Sequence, residues 1–113
     1  MNYVVAQEIY EAIQVSQLGK LKHDLLKKAV TYARIRAGWY FYDDDQKREK
    51  DFLRTSAHEV FMDACDILSR NMAKAGEDNS WRERLGVGRT GEVRKRIGDF
   101  ACYLHAILGV QQR

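Results

Sequence analysis

The chain of 113 residues is 45% hydrophobic and 31% charged and contains no proline, which fits one compact domain over residues 1–113 and leaves no room for a second core. No apolar run approaches the roughly eighteen residues of a membrane span, and Glu8 and Glu11 interrupt the first apolar pattern; a cytoplasmic protein with neither signal peptide nor membrane partner is expected. The net charge is only +3, and the segment from Arg82 to Arg96 alone carries +4, so the remainder is slightly acidic and the basic character is local.

From Tyr3 to Gln17, Val5, Ile9, Ala12 and Ile13 recur at helical spacing, with Glu8, Glu11, Gln7 and Gln14 on other faces. Gly19 is placed to end this first helix in a left-handed conformation. A second helix is predicted from about Lys20 to Tyr40, with Leu21, Leu25, Leu26, Ala29, Tyr32, Ala33 and Ala37 forming its apolar stripe. Arg36 points into that stripe and must either reach water with its guanidinium or meet a carboxylate from another helix; the first is expected.

Trp39, Tyr40, Phe41 and Tyr42 are consecutive, and no helix buries four successive side chains on one face. Some must face outward or meet a partner, and a homodimer formed through Trp39, Phe41 and Tyr42 is expected. Asp43, Asp44 and Asp45 supply N-cap oxygens for a third helix beginning near Gln46. That helix, to about Ala75, places Leu53, Ala57, Phe61, Ala64, Leu68 and Met72 on one face and is expected to be the central element. Gly76 ends it, and Ser80 with Glu83 reads as a capping box around a short helical turn carrying Trp81.

The string Gly86-Val87-Gly88-Arg89-Thr90-Gly91 then opens a last helix from about Glu92 to Leu108, with Val93, Ile97, Phe100, Leu104 and Leu108 on one face. No strand pattern or internal repeat competes. The expected fold class is all-α: a compact bundle of four main helices plus a short fifth helical turn.

The glycine string matches G-x-G-x-x-G, but a dinucleotide fingerprint must follow a strand within a βαβ unit, so nicotinamide and flavin cofactors are excluded and no cofactor is expected. A loop opening a basic helix can still hold a phosphate; the plain alternative is a connector with solvated arginines. Glu59, Asp63 and Asp66 share one face of the third helix with His58 at its edge. They read as a solvated face partly neutralised by Arg70, and no metal is expected, because neither the di-iron E-x-x-H repeat nor H-E-x-x-H is present. Cys65 and Cys102 lack C-x-x-C or histidine neighbours and read as buried free thiols. His105 reads as a histidine at the edge of the core.

Two short resemblances bear on activity. His23-Asp24 is similar to the central dipeptide of the HD-domain metal phosphohydrolases, but no histidine precedes His23 to complete that family's ligand set. Arg54 and His58 resemble the arginine and histidine pair of the HEPN ribonucleases, which are also small all-α bundles, with fewer intervening residues here than in that family. The resemblance implies a small ribonuclease or phosphohydrolase that uses this pair and nearby carboxylates. The residues alone assign no catalytic set. The reading placed first is a binding or regulatory module that contacts nucleic acid or an acidic protein partner through Arg82, Arg84, Arg89, Arg94, Lys95 and Arg96, with Trp81 beside them. A purely structural homodimer is the other alternative.

Overall fold

A computed structural model describes residues 1–111. It consists of α1 (Tyr3–Gln14), α2 (Gly19–Trp39), α3 (Asp44–Lys74), α4 (Trp81–Leu85) and α5 (Gly91–Gln111), with no strand among the described residues. This is the all-α bundle that the apolar periodicities require, four long helices and one short one.

Helix ends follow local chemistry. Asn2 caps α1, its Oδ1 accepting the Val4 N–H at 2.7 Å. Asp43 and Gln46 form a reciprocal capping box at the start of α3, each side chain accepting the other's backbone N–H. At the far end Gly76 takes φ +77°, and the N–H groups of Gly76 and Glu77 return to the carbonyls of Ala73 and Met72, a Schellman closure that needs a residue free to enter the left-handed region.

Two expected caps are absent. Gly19 does not end α1, which stops at Gln14; it is the first residue of α2 and has no positive φ, and the short connection is instead closed by Ser16 and Gln17. Ser16 Oγ and the Gln17 N–H both donate to the Glu77 carboxylate, at 2.7 and 2.8 Å, tying this connection to the one after α3. Ser80 makes no side-chain cap and sits in a helical conformation, because Asp78 Oδ1 accepts the Ser80 N–H and sets the turn ahead of α4.

The central helix is α2 rather than α3: it lies against both α3 and α5, which touch each other much less. The 31 residues of α3 rise about 46 Å, nearly the longest dimension of the molecule, 47 Å. Its first turns therefore overhang the bundle. Phe52 and Leu53 are exposed there, so Leu53 is not the core residue its spacing implies. Deeper in, Phe61, Leu68, Ile97, Phe100 and Leu104 are fully buried with Ile9, Leu25 and Leu85. Phe61 and Phe100 approach ring to ring at 6.4 Å. His105, by contrast, is exposed.

Trp81 is also core, 2% exposed, with its indole N–H directed at Met72 Sδ at 3.4 Å. It cannot serve as an aromatic neighbour to a basic surface. Cys65 and Cys102 are both free. Cys65 is fully buried, and burial pushes its thiol up to about 12. Among the described residues no helix is long and apolar enough to cross a membrane.

Candidate anion site

Helical periodicity brings three sets of residues to one cleft. From α2 come Tyr32 and Arg36, one turn apart; from α3 come Asp51, Arg54, Thr55 and His58, also on one face; from the start of α5 come Arg94 and Lys95. Together they line a cavity of about 300 Å³ in which four cationic side chains meet a single carboxylate.

Each α2 and α3 arginine is held from behind. Arg36 does not simply run to water as expected. Its Nη1 lies 3.5 Å from Asp99 Oδ1 and 3.7 Å from Cys102 Sγ, both on α5, so a carboxylate from another helix receives it while part of the guanidinium stays exposed. Arg54 donates to Asp51 Oδ1 at 3.2 Å, and its guanidinium carbon sits 4.3 Å from the centre of the Trp39 ring. Among the described residues, Arg94 and Lys95 have no carboxylate within 4 Å.

The basic segment is thus divided by the fold. Arg82 donates to Asp66 at 2.6 Å and to the Gly86 carbonyl at 2.7 Å, and its side chain is largely buried, so it anchors α4 to α3. Arg84 pairs with Glu8, Arg89 with Glu59 and Arg96 with Glu92. The acidic face of α3 is neutralised from outside the helix, Glu59 by Arg89 and Asp66 by Arg82, rather than by Arg70. Arg84, Lys95 and Arg96 also line a second cleft together with the N-terminal ammonium, and there Glu92 pairs with Arg96 and Asp99 with the N-terminus at 2.7 Å. After the glycine loop, Thr90 Oγ1 accepts the Val93 N–H at 3.3 Å, so one of the first amides of α5 is already used.

At the floor of the first cleft lies His58, which its position beside exposed carboxylates had suggested for a helix edge. It is 3% exposed, and neither ring nitrogen has a hydrogen-bond partner or contact with solvent. The edge of Tyr32 meets its ring at a centroid separation of 5.5 Å. Burial lowers the His58 pKa first, and the Arg94, Arg36 and Arg89 charges lower it further against the opposing pull of Glu59, so the imidazole is neutral at neutral pH. Burial likewise raises Tyr32, outweighing the pull of Arg36, Arg54 and Arg94. Both side chains register the same cationic field.

Chemically, the arrangement presents guanidinium and ammonium donors to an anion without a competing carboxylate cluster. Among the described residues no group of three or more His, Cys, Asp or Glu is arranged to hold a metal ion. Arg54 and His58 do share the cavity, as the ribonuclease resemblance requires, yet the imidazole nitrogens are sealed beneath its surface. From sequence, Tyr32 falls in the apolar stripe of α2, and neither it nor Arg36 is given a part in a binding site. The available signal was a pair of i, i+4 spacings, Tyr32 with Arg36 and Arg54 with His58.

The aromatic run is only partly exposed. Trp39 and Tyr42 meet edge to face at 5.9 Å, and Lys50 Nζ lies 4.8 Å from the Tyr42 ring centre, so these two are engaged within the chain. Tyr40 and Phe41 project outward at 87% and 88% exposure. Comparison with known proteins adds no relative: no protein-family model, no curated protein and no solved structure matches the chain.

Proposed function

We propose that this protein is a small cytoplasmic binding module that holds the phosphates of a nucleic acid in the cleft formed by Arg36, Arg54, Arg94 and Lys95. One observation carries the reading: cations far apart in sequence are brought by three helices to one cavity, and among the described residues the one acid lining it, Asp51, already serves Arg54. Converging like charges repel one another, and a polyanion relieves that repulsion. The two free cysteines support a reducing compartment.

Fluorescence anisotropy with labelled RNA and DNA oligonucleotides tests this. Arg94→Ala with Lys95→Ala should weaken binding and flatten the plot of log affinity against log salt by about 0.7 per lost contact on a single strand. Arg84→Ala and Arg89→Ala, whose side chains are engaged by Glu8 and Glu59, should have less effect. A wild-type affinity weaker than about 10⁻⁴ M at physiological salt rejects nucleic acid and passes the cleft to an acidic protein partner.

A ribonuclease is the second reading, favoured by Arg54 and His58 meeting in one cavity. It requires the His58 ring to turn and expose a nitrogen. RNA left intact after prolonged incubation in the same assay rejects it. Self-association is a separate reading, supported by the outward Tyr40 and Phe41. A single monomeric species by sedimentation at high micromolar concentration rejects a homodimer through Trp39, Phe41 and Tyr42.

A further inference from the structure

We infer that the strand taken by the cationic cleft is single-stranded, and that one of its bases stacks in a notch formed by Trp39 and Tyr40 beside the phosphate site. This rests on the phosphate-binding reading above and specifies its ligand. The notch is a separate cavity of about 130 Å³, lined by Arg36, Trp39, Tyr40 and Arg54. Two of its four residues, Arg36 and Arg54, also line the cationic cleft. A chain lying across these arginines therefore has a charged site on one side and an aromatic wall on the other.

Both halves of single-strand recognition are present in this juxtaposition: cations that follow the backbone, and aromatic faces that accept a base. Arg54 lies over one face of the Trp39 indole and so fixes the ring at the boundary between the two cavities. Tyr40 is 87% exposed, a large aromatic surface left open by the described residues. A cleft for an acidic peptide needs the cations but has no use for a flat aromatic wall at this position. Bases in a duplex already stack on one another and are held away from such a wall, whereas an unpaired base is free to enter it. Charge alone would favour the duplex, whose phosphates are more densely spaced; the aromatic notch turns the preference toward an unpaired strand.

The test compares wild-type affinities for four labelled probes carrying equal numbers of phosphates: a single-stranded RNA, a single-stranded DNA, a DNA duplex and an abasic deoxyribose-phosphate chain. Single strands should bind more tightly than the abasic chain and the duplex. Tyr40→Ala should weaken single-strand binding between about fivefold and about 150-fold, the range of one lost base stack, and Tyr40→Phe should restore it. Abasic binding should be unchanged in both variants. Because Tyr40 is exposed, its truncation leaves the core intact. If the abasic chain and duplex bind as tightly as the single strands, and Tyr40→Ala is silent, the stacking inference falls while the phosphate site stands. If no probe binds, the phosphate site itself falls. If Tyr40→Ala instead dissolves a dimer without altering affinity, the notch is a self-association surface and the inference is overturned.

Discussion

The guanidinium of Arg36 lies directly against Gly98: a Cβ added at Gly98 would stand 2.4 Å from Arg36 Nη1 and 2.7 Å from its Cζ. Only glycine on α5 lets this arginine reach Asp99 and still face the cleft. Gly98→Ala should therefore move Arg36 and weaken anion binding. Stability should change little, because alanine gains up to about 1 kcal/mol of helix propensity against the lost Arg36 placement. Thermal melts with binding isotherms check this; a variant that binds as wild type shows that Arg36 is not part of the site.

His58 makes stability depend on pH. Its pKa in the folded protein is lowered by burial and by Arg94, while in the unfolded chain it protonates near 6.5. The unfolded state then takes up the proton first as pH falls. Stability from this residue is fully present above about pH 6.5 and declines below it, until the folded-state pKa is reached. Urea titrations at pH 7.5, 6.5 and 5.5 should show this decline, and His58→Leu should reduce it. The substitution also removes two unpartnered ring nitrogens, so a small cost or a gain in stability at pH 7.5 is expected. An unchanged slope in the variant rules out His58 as the source.

Core positions should separate sharply from Leu53. Phe61→Ala and Phe100→Ala, both fully buried, should each cost about 3–5 kcal/mol. Leu53→Ala, on the overhanging start of α3 and 44% exposed, should cost about 1 kcal/mol or less. Denaturant unfolding of the three variants distinguishes them; equal losses would mean that the start of α3 is packed in solution.

Divalent metals should leave stability unchanged. Asp66 is already engaged by the largely buried Arg82 at 2.6 Å, and Glu59 pairs with the exposed Arg89, so among the described residues no free set of ligands is left in place. A metal held only by the folded state at about 100 times its dissociation constant would add about 2.7 kcal/mol. A rise of that size with magnesium, manganese or zinc, lost in Asp63→Ala, would show that the acidic face is a ligand set.

What the sequence determined by itself is the set of helices and the faces they bury. Local rules suffice for that: the 3.6-residue period carries Phe61, Leu68, Ile97, Phe100 and Leu104 inward, Asp43 caps α3, and Gly76 closes it. The caps at Gly19 and Ser80 failed because Glu77 and Asp78, themselves in the connection after α3, offered better partners for the local N–H groups. Charge pairing was not local at all. Arg82, Arg84 and Arg89 found acids 16, 76 and 30 residues away, while Arg36 and Arg54 joined Arg94 and Lys95 only because α2 packs against both α3 and α5. A run of basic residues records where cations lie along the chain. Which of them remain available to a ligand depends on which helices meet, and that is decided by packing.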